Sequence, residues 1–194
     1  MGKQLWSPSP ERVANANMTR FMEFVNRRHS RRFGSYDELY RWSIENIPDF
    51  WADMWEFGGI TASRRFDSVV DDLTKMPGAA WFSGARLNFA QNLLRYRDDR
   101  TALVFRGEES DVVRISYSEL YSRTAGLARA LREVGVGPGD RVAGYLPNTP
   151  ETVIAMLAAT SIGAVWSSCS PDFGTRGVLD RFGQIRPKVL FTAD

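Results

Sequence analysis

Residues 141–192, RVAGYLPNTPETVIAMLAATSIGAVWSSCSPDFGTRGVLDRFGQIRPKVLFT, decide the fold. Residues 141–146 are a short run bounded by turn formers and predict a strand. Thr149-Pro150-Glu151 is a helix start: Pro150 suits the first turn and Glu151 the positive helix end. That helix runs to about Ile162. Residues 164–168 predict a second strand, 174–184 a mostly helical segment and 188–192 a third strand. Strands alternating with helices over short connections mean right-handed crossovers and a parallel sheet. The fold class is therefore α/β. The chain stops at Asp194, just after a strand, where open α/β sheets place their ligand loops. An unfinished sheet is expected, with an exposed edge.

Upstream of this unit, 101–106 and 112–115 read as two strands joined around 107–111, a hairpin. Ser116-Tyr117-Ser118-Glu119 is a capping-box pattern opening a helix with Leu120, Leu127, Leu131 and Val134 on one side. Gly135 ends it, and Gly137-Pro138-Gly139-Asp140 is a turn. Residues 1–95 differ in character, being mostly helical and rich in aromatics. Ser9-Pro10-Glu11 starts a helix, and Phe21, Phe24 and Val25 follow at helical spacing. Ser35-Tyr36-Asp37-Glu38 is a second capping box, with Leu39, Trp42 and Ile47 behind it. Pro48 ends that helix or begins the next, whose face carries Phe50, Trp51, Met54 and Trp55 before Gly58-Gly59. A loop through Pro77 and Gly84 leads to Asn88, which caps a short helix. The chain thus reads as a helical N-terminal extension, 1–95, and an incomplete α/β domain, 96–194.

Bulk properties exclude several function classes. Over 194 residues, 25 Lys and Arg against 23 Asp and Glu give a net charge of +2, too small for a nucleic-acid partner. The single cysteine, Cys169, rules out an internal disulfide and a cysteine metal cluster. The N-terminus has no apolar signal region. The longest apolar stretch, 153–165, is interrupted by Thr160, Ser161 and Gly163 and is too short to span a bilayer. No membrane partner is expected, and the protein reads as cytoplasmic.

Most catalytic signatures are missing. Gly-Lys occurs only at Gly2-Lys3, outside any strand–turn–helix context, so there is no Walker-type phosphate loop. Gly135, Gly137 and Gly139 follow a helix and fail the dinucleotide-binding context. There is no G-x-S-x-G elbow. His29, the one histidine, sits in Arg27-Arg28-His29-Ser30-Arg31-Arg32, which reads as a solvated helix end offsetting the helix dipole or as a polyanion contact. Tyr40, Trp42, Phe50, Trp51, Trp55 and Phe57 read as packing or as a ligand platform. Cys169 has no identifiable base to make it a nucleophile. The segment Trp166-Ser167-Ser168-Cys169-Ser170-Pro171-Asp172-Phe173-Gly174 is the best candidate site. It joins a parallel strand to the next helix, so its hydroxyls and amides lie at the ligand edge of the sheet. Equally, Ser170 or Asp172 could do no more than cap that helix.

Several blocks resemble the acetoacetyl-CoA synthetases, in the order found in that family. They are Leu5-Trp6-Ser7-Pro8-Ser9-Pro10-Glu11-Arg12 with Arg20-Phe21-Met22; Trp81-Phe82-Ser83-Gly84-Ala85-Arg86-Leu87-Asn88-Phe89-Ala90-Gln91-Asn92-Leu93-Leu94; Tyr145-Leu146-Pro147-Asn148; and the 166–174 segment continuing through Val178-Leu179-Asp180-Arg181-Phe182-Gly183-Gln184-Ile185. The resemblance covers essentially the whole chain and places it in the acyl-adenylating, AMP-forming superfamily. It implies a ligase that joins acetoacetate to CoA through an acyl-adenylate made from ATP, with Mg offsetting phosphate charge. It also implies that the N-terminal portion alone is present, packing as a helical extension beside the first part of the adenylating domain. The family's phosphate loop, adenine and magnesium contacts and catalytic lysine have no counterpart here, so no catalytic residue is carried over and no metal ligand is assigned. ATP, CoA and Mg are implied for the full-length enzyme, none held tightly by these residues alone. The only transferred site is CoA-binding, at Ser170, Pro171 and Asp172. The alternatives are a fragment of an acetyl- or propionyl-CoA synthetase, or a non-catalytic module that binds CoA or a partner polypeptide.

Overall fold

The computed structural model describes residues 5–108 and 111–193. The Gly2-Lys3 pair, the middle of the 107–111 connection and Asp194 lie outside the described residues. The chain divides into two compact units, Met1–Arg86 and Leu87–Asp194. This division falls before the composition change at 95 and groups the Asn88-capped helix with the second unit.

The first unit contains α1 (Pro10–Ala14), α2 (Asn17–His29), α3 (Tyr36–Glu45), α4 (Ile47–Phe57), β1 (Ser68–Val70) and β2 (Trp81–Ser83). Ser9 caps α1 by accepting from the Arg12 amide at 3.2 Å. Ser35 and Glu38 form the expected reciprocal capping box on α3, with Ser35 Oγ accepting from the Glu38 amide and Glu38 Oε2 from the Ser35 amide. A cap of this kind stabilises a helix by about 1 kcal/mol. The Gly34 amide, then the Ser35 hydroxyl, hold the Glu38 carboxyl below its ordinary range. Pro48 stands in the first turn of α4, where its missing N–H costs nothing. Phe21, Val25, Leu39 and Trp42 make the core, with Phe50, Met54 and Phe57 packed against it.

The loop expected through Pro77 and Gly84 is in part a hairpin. β1 and β2 pair antiparallel, Ser68 opposite Ser83 and Val70 opposite Trp81. Asp71 closes it, accepting from the Ala80 amide at 2.8 Å and pairing with Lys75 Nζ at 2.6 Å. Strands of three residues are too short for alternation to declare itself.

The second unit contains α5 (Phe89–Leu93), β3 (Thr101–Phe105), β4 (Val113–Ser116), α6 (Tyr117–Glu133), β5 (Arg141–Tyr145), α7 (Pro150–Ser161), β6 (Val165–Cys169), α8 (Thr175–Ile185) and β7 (Val189–Thr192). β3 and β4 form the expected antiparallel pair. Ser116 Oγ caps α6 by accepting from the Glu119 amide, and Gly135 (φ 82°) ends that helix in the left-handed region glycine favours.

The last three strands form the expected parallel sheet in the order β6-β5-β7. With β5 central, the crossovers run to opposite sides, so α7 and α8 cover opposite faces. The packing agrees. Val142 meets Ala128 and Leu131 of α6, Ala158 and Ala159 of α7 and Ile162 just after it, joined by Trp166, Val189 and Phe191. Ala143 meets Cys169 and Phe182, joined by Tyr145, Val178 and Ile185. Alternate residues of β5 therefore serve alternate faces. Asp140 Oδ2, ahead of β5, accepts from the Gly137 amide at 2.8 Å and pairs with Lys188 Nζ at 3.1 Å. These partners, the Gly137 amide foremost, hold its carboxyl below the ordinary range.

Candidate functional site at the carboxyl edge of the parallel sheet

The carboxyl ends of β5, β6 and β7 lie along one edge, where parallel α/β sheets collect ligand-binding loops. The 170–174 segment leaves this edge from β6. Ser170, Pro171 and Asp172 are all exposed. Ser170 Oγ donates to Asp172 Oδ2 at 2.6 Å and weakly accepts from the Asp172 amide at 3.4 Å. The Phe173 amide closes a turn by donating to the Ser170 carbonyl at 3.1 Å. Neither Ser170 nor Asp172 caps α8, because the N-cap is Gly174 and no side chain caps the helix. The capping alternative for these two residues is thereby removed. They shape the loop, and the first amides of α8 have no side-chain acceptor from the cap.

Two residues outside the segment hold it. The Tyr145 hydroxyl, at the end of β5, bonds to the Pro171 carbonyl at 2.9 Å and the Phe173 carbonyl at 3.1 Å. The Arg181 guanidinium lies 4.2 Å from the centre of the Phe173 ring, a cation–π contact, and Arg181 Nη1 donates to the Gly177 carbonyl. Neither residue was visible as a site residue in the sequence. The Tyr145 partners are 26 and 28 positions away, and no local spacing joins them.

A cleft of about 450 Å³ opens between the ends of β5 and β7, lined by Leu146, Phe191 and Thr192 and by Ile154 and Ala155 of α7. Arg123 and Glu151 stand at it, paired at 2.8 Å. The Glu151 carboxyl is held below its ordinary range by its own backbone amide and by Arg123. Cys169 is buried beside Ala143 and Phe182, out of reach of a dissolved substrate. Among the described residues no cluster of three His, Cys, Asp or Glu side chains is arranged to hold a metal ion. No helix among the described residues is long and apolar enough to cross a membrane.

In the first unit, the basic run at the end of α2 is more than a solvated helix end. Arg28 Nε and His29 Nε2 pair with the two oxygens of Asp53 at 3.0 and 2.7 Å, and Asp53 is 1% exposed. The His29 ring also lies 5.2 Å from Trp42. Asp53 was missed because nothing local marks a carboxylate on an apolar helix face as buried. Of the aromatic group, Trp42 and Trp55 are buried, whereas Tyr40 and Trp51 are exposed.

Comparison with known proteins gives a consistent set of likenesses. The family described as AMP-binding enzyme matches residues 89–194, and the one described as acetyl-coenzyme A synthetase N-terminus matches residues 36–93. An acetoacetyl-CoA synthetase of Macaca fascicularis is 48% identical over 193 residues, covering 98% of this chain and 28% of that protein. One of Rattus norvegicus is 47% identical over the same shares. The solved structure of an acetoacetyl-CoA synthetase from Streptomyces lividans superposes with a TM-score of 0.91 at 44% identity, covering 98% of this chain and 30% of that one. The chain thus spans about 28% of the length of the curated relatives it matches.

Proposed function

Because the chain belongs to the AMP-binding enzyme family, we propose that it is the N-terminal part of an AMP-forming ligase that joins acetoacetate to CoA. The observation that carries this reading is the likeness to acetoacetyl-CoA synthetases along nearly the whole chain. In the first step an acetoacetate carboxylate oxygen bonds to the α-phosphorus of ATP and pyrophosphate leaves. In the second the CoA sulfur attacks the acyl carbon and AMP leaves, carrying the electron pair of the broken C–O bond. Adenylation turns a poor leaving group into a good one.

Within this scheme Ser170, Pro171 and Asp172 form the CoA-side loop. Support comes from their exposure, their place after a parallel strand and the α8 N-terminus that follows, which offers backbone donors to a phosphate. The chemistry of adenylation belongs to residues other than these 194, so the chain alone releases no AMP and holds ATP, CoA and Mg at most weakly. Residues 1–95 are read as a helical extension and 96–194 as the opening of the adenylating domain. A small net charge and a single cysteine favour a cytoplasmic enzyme acting on small molecules, with neither nucleic acid nor membrane as partner.

The test is AMP formation by the polypeptide encoded by the complete reading frame containing residues 1–194. Acetoacetate is expected to give a higher kcat/KM than acetate or propionate. Activity with acetate or propionate and none with acetoacetate moves the assignment to a sister ligase.

A further inference from the structure

We propose that Tyr145 is a positioning residue for the thioester-forming step, fixing through its hydroxyl the backbone that the 170–174 loop presents to CoA. The inference rests on the reading of that loop as the CoA side of the site. Tyr145 is the last residue of β5, the central strand. Its ring packs on the α8 face beside Ala143, Cys169, Phe182, Val178 and Ile185, so the ring is anchored in the core and only the hydroxyl reaches the loop. A phenol has one proton to give. The carbonyls of Pro171 and Phe173, at 2.9 and 3.1 Å, share it as a three-centre bond.

The consequence lies on the other side of those peptides. In a trans peptide the N–H points opposite to the C=O, and the only cis bond among the described residues is Met76-Pro77. Drawing the two carbonyls toward β5 therefore turns the Asp172 and Gly174 amides away from it. Among the described residues the Asp172 amide has only the weak 3.4 Å bond to Ser170 Oγ. Gly174 is the N-cap of α8, so its amide lies directly before the unpaired first amides of that helix. The result is a short row of outward backbone donors, suited to a phosphate of a phosphate-bearing thiol such as CoA. The competing account is that the turn formed by the Phe173 amide and the Ser170 carbonyl holds the loop unaided.

The test variant is Tyr145→Phe in the polypeptide of the complete reading frame, which keeps the ring in its packing and removes only the hydroxyl. The KM for CoA is expected to rise about five- to tenfold, the size of one hydrogen bond. Acetoacetate-dependent exchange of pyrophosphate into ATP, which needs no CoA, and the melting temperature are expected to hold. A second readout is independent of activity: the backbone amide NMR shifts of Asp172 and Gly174 should move in the variant while those of Val142 and Ala143 in β5 do not. An unchanged KM for CoA, unchanged Asp172 and Gly174 amide shifts, or a parallel loss in pyrophosphate exchange overturns the positioning role while leaving the ligase assignment intact. A wild-type polypeptide with no CoA-dependent product overturns both.

Discussion

Replacing Gly144 by alanine puts a Cβ 2.6 Å from Cη2 and 2.7 Å from Cζ2 of Trp166, and 3.3 Å from Leu146 Cδ1. Gly144 is buried in the central strand, opposite Ser168. The indole that covers it is half-buried and can move only by giving up other contacts. It packs with Phe191, ring centres 6.3 Å apart, against the core formed by α6, α7 and Val142. A glycine in a strand interior often marks such a close approach. Overfilling a packed core costs about 1–3 kcal/mol. Alanine offsets about 0.4–1 kcal/mol of this by restricting the unfolded chain. The net expectation is a loss of about 1–2 kcal/mol, or a fall of about 2–8 °C in melting temperature for a chain of this length. Urea denaturation followed by far-ultraviolet circular dichroism measures it. The double variant with Trp166→Phe separates this cause from others, because phenylalanine lacks both clashing atoms. In that background Gly144→Ala should be neutral or stabilising by up to about 1 kcal/mol, a coupling of about 1–3 kcal/mol. A single variant within about 0.5 kcal/mol of wild type, or a double variant whose effects simply add, refutes the packing argument.

Asp53→Asn weakens two charge-assisted hydrogen bonds but leaves Arg28 and His29, 45% and 24% exposed, able to hydrate. The expected loss is about 2–3 kcal/mol, below that for breaking a wholly buried pair, and a loss under about 1 kcal/mol in urea titration speaks against it. Thr124 is 2% exposed and its hydroxyl has no hydrogen-bond partner among the described residues. Thr124→Val should therefore leave stability unchanged or raise it by about 1 kcal/mol, and a clear fall in the denaturation midpoint would show a partner. Lys75, then the Ala80 amide, depress the Asp71 carboxyl from 3.8 to about 2. A depressed carboxylate lends its stability above the unfolded-state value and loses it as pH falls through the folded one. The β1–β2 hairpin should loosen between about pH 4 and 2, and carbon-detected NMR titration of Asp71 with a midpoint near 4 would contradict this.

The parallel unit was legible because its punctuation is strong. Pro150, Gly163 and Gly174 bracket apolar runs of the right lengths, and no other arrangement of short strand–helix–strand connections is favoured. The 170–172 loop was legible by position, since it follows a strand carboxyl end. Its internal geometry was not. Whether Ser170 and Asp172 cap α8 or bond each other depends on where the helix starts, and the start moved to Thr175 with Gly174 as cap. Tyr145 and Asp53 were illegible for one shared reason. Their polar partners lie 26 and 24 positions away, joined only after strand order and helix packing bring them together. The β1–β2 hairpin failed to show because three-residue strands carry no period.

Product stoichiometry tests the central assignment most directly. The polypeptide of the complete reading frame, supplied with acetoacetate, ATP and CoA, is analysed for nucleotide and thioester by chromatography and mass spectrometry. The account requires AMP and pyrophosphate in equal amounts with acetoacetyl-CoA, each dependent on acetoacetate. Formation of ADP and phosphate in their place, or AMP release indifferent to acetoacetate, would contradict it.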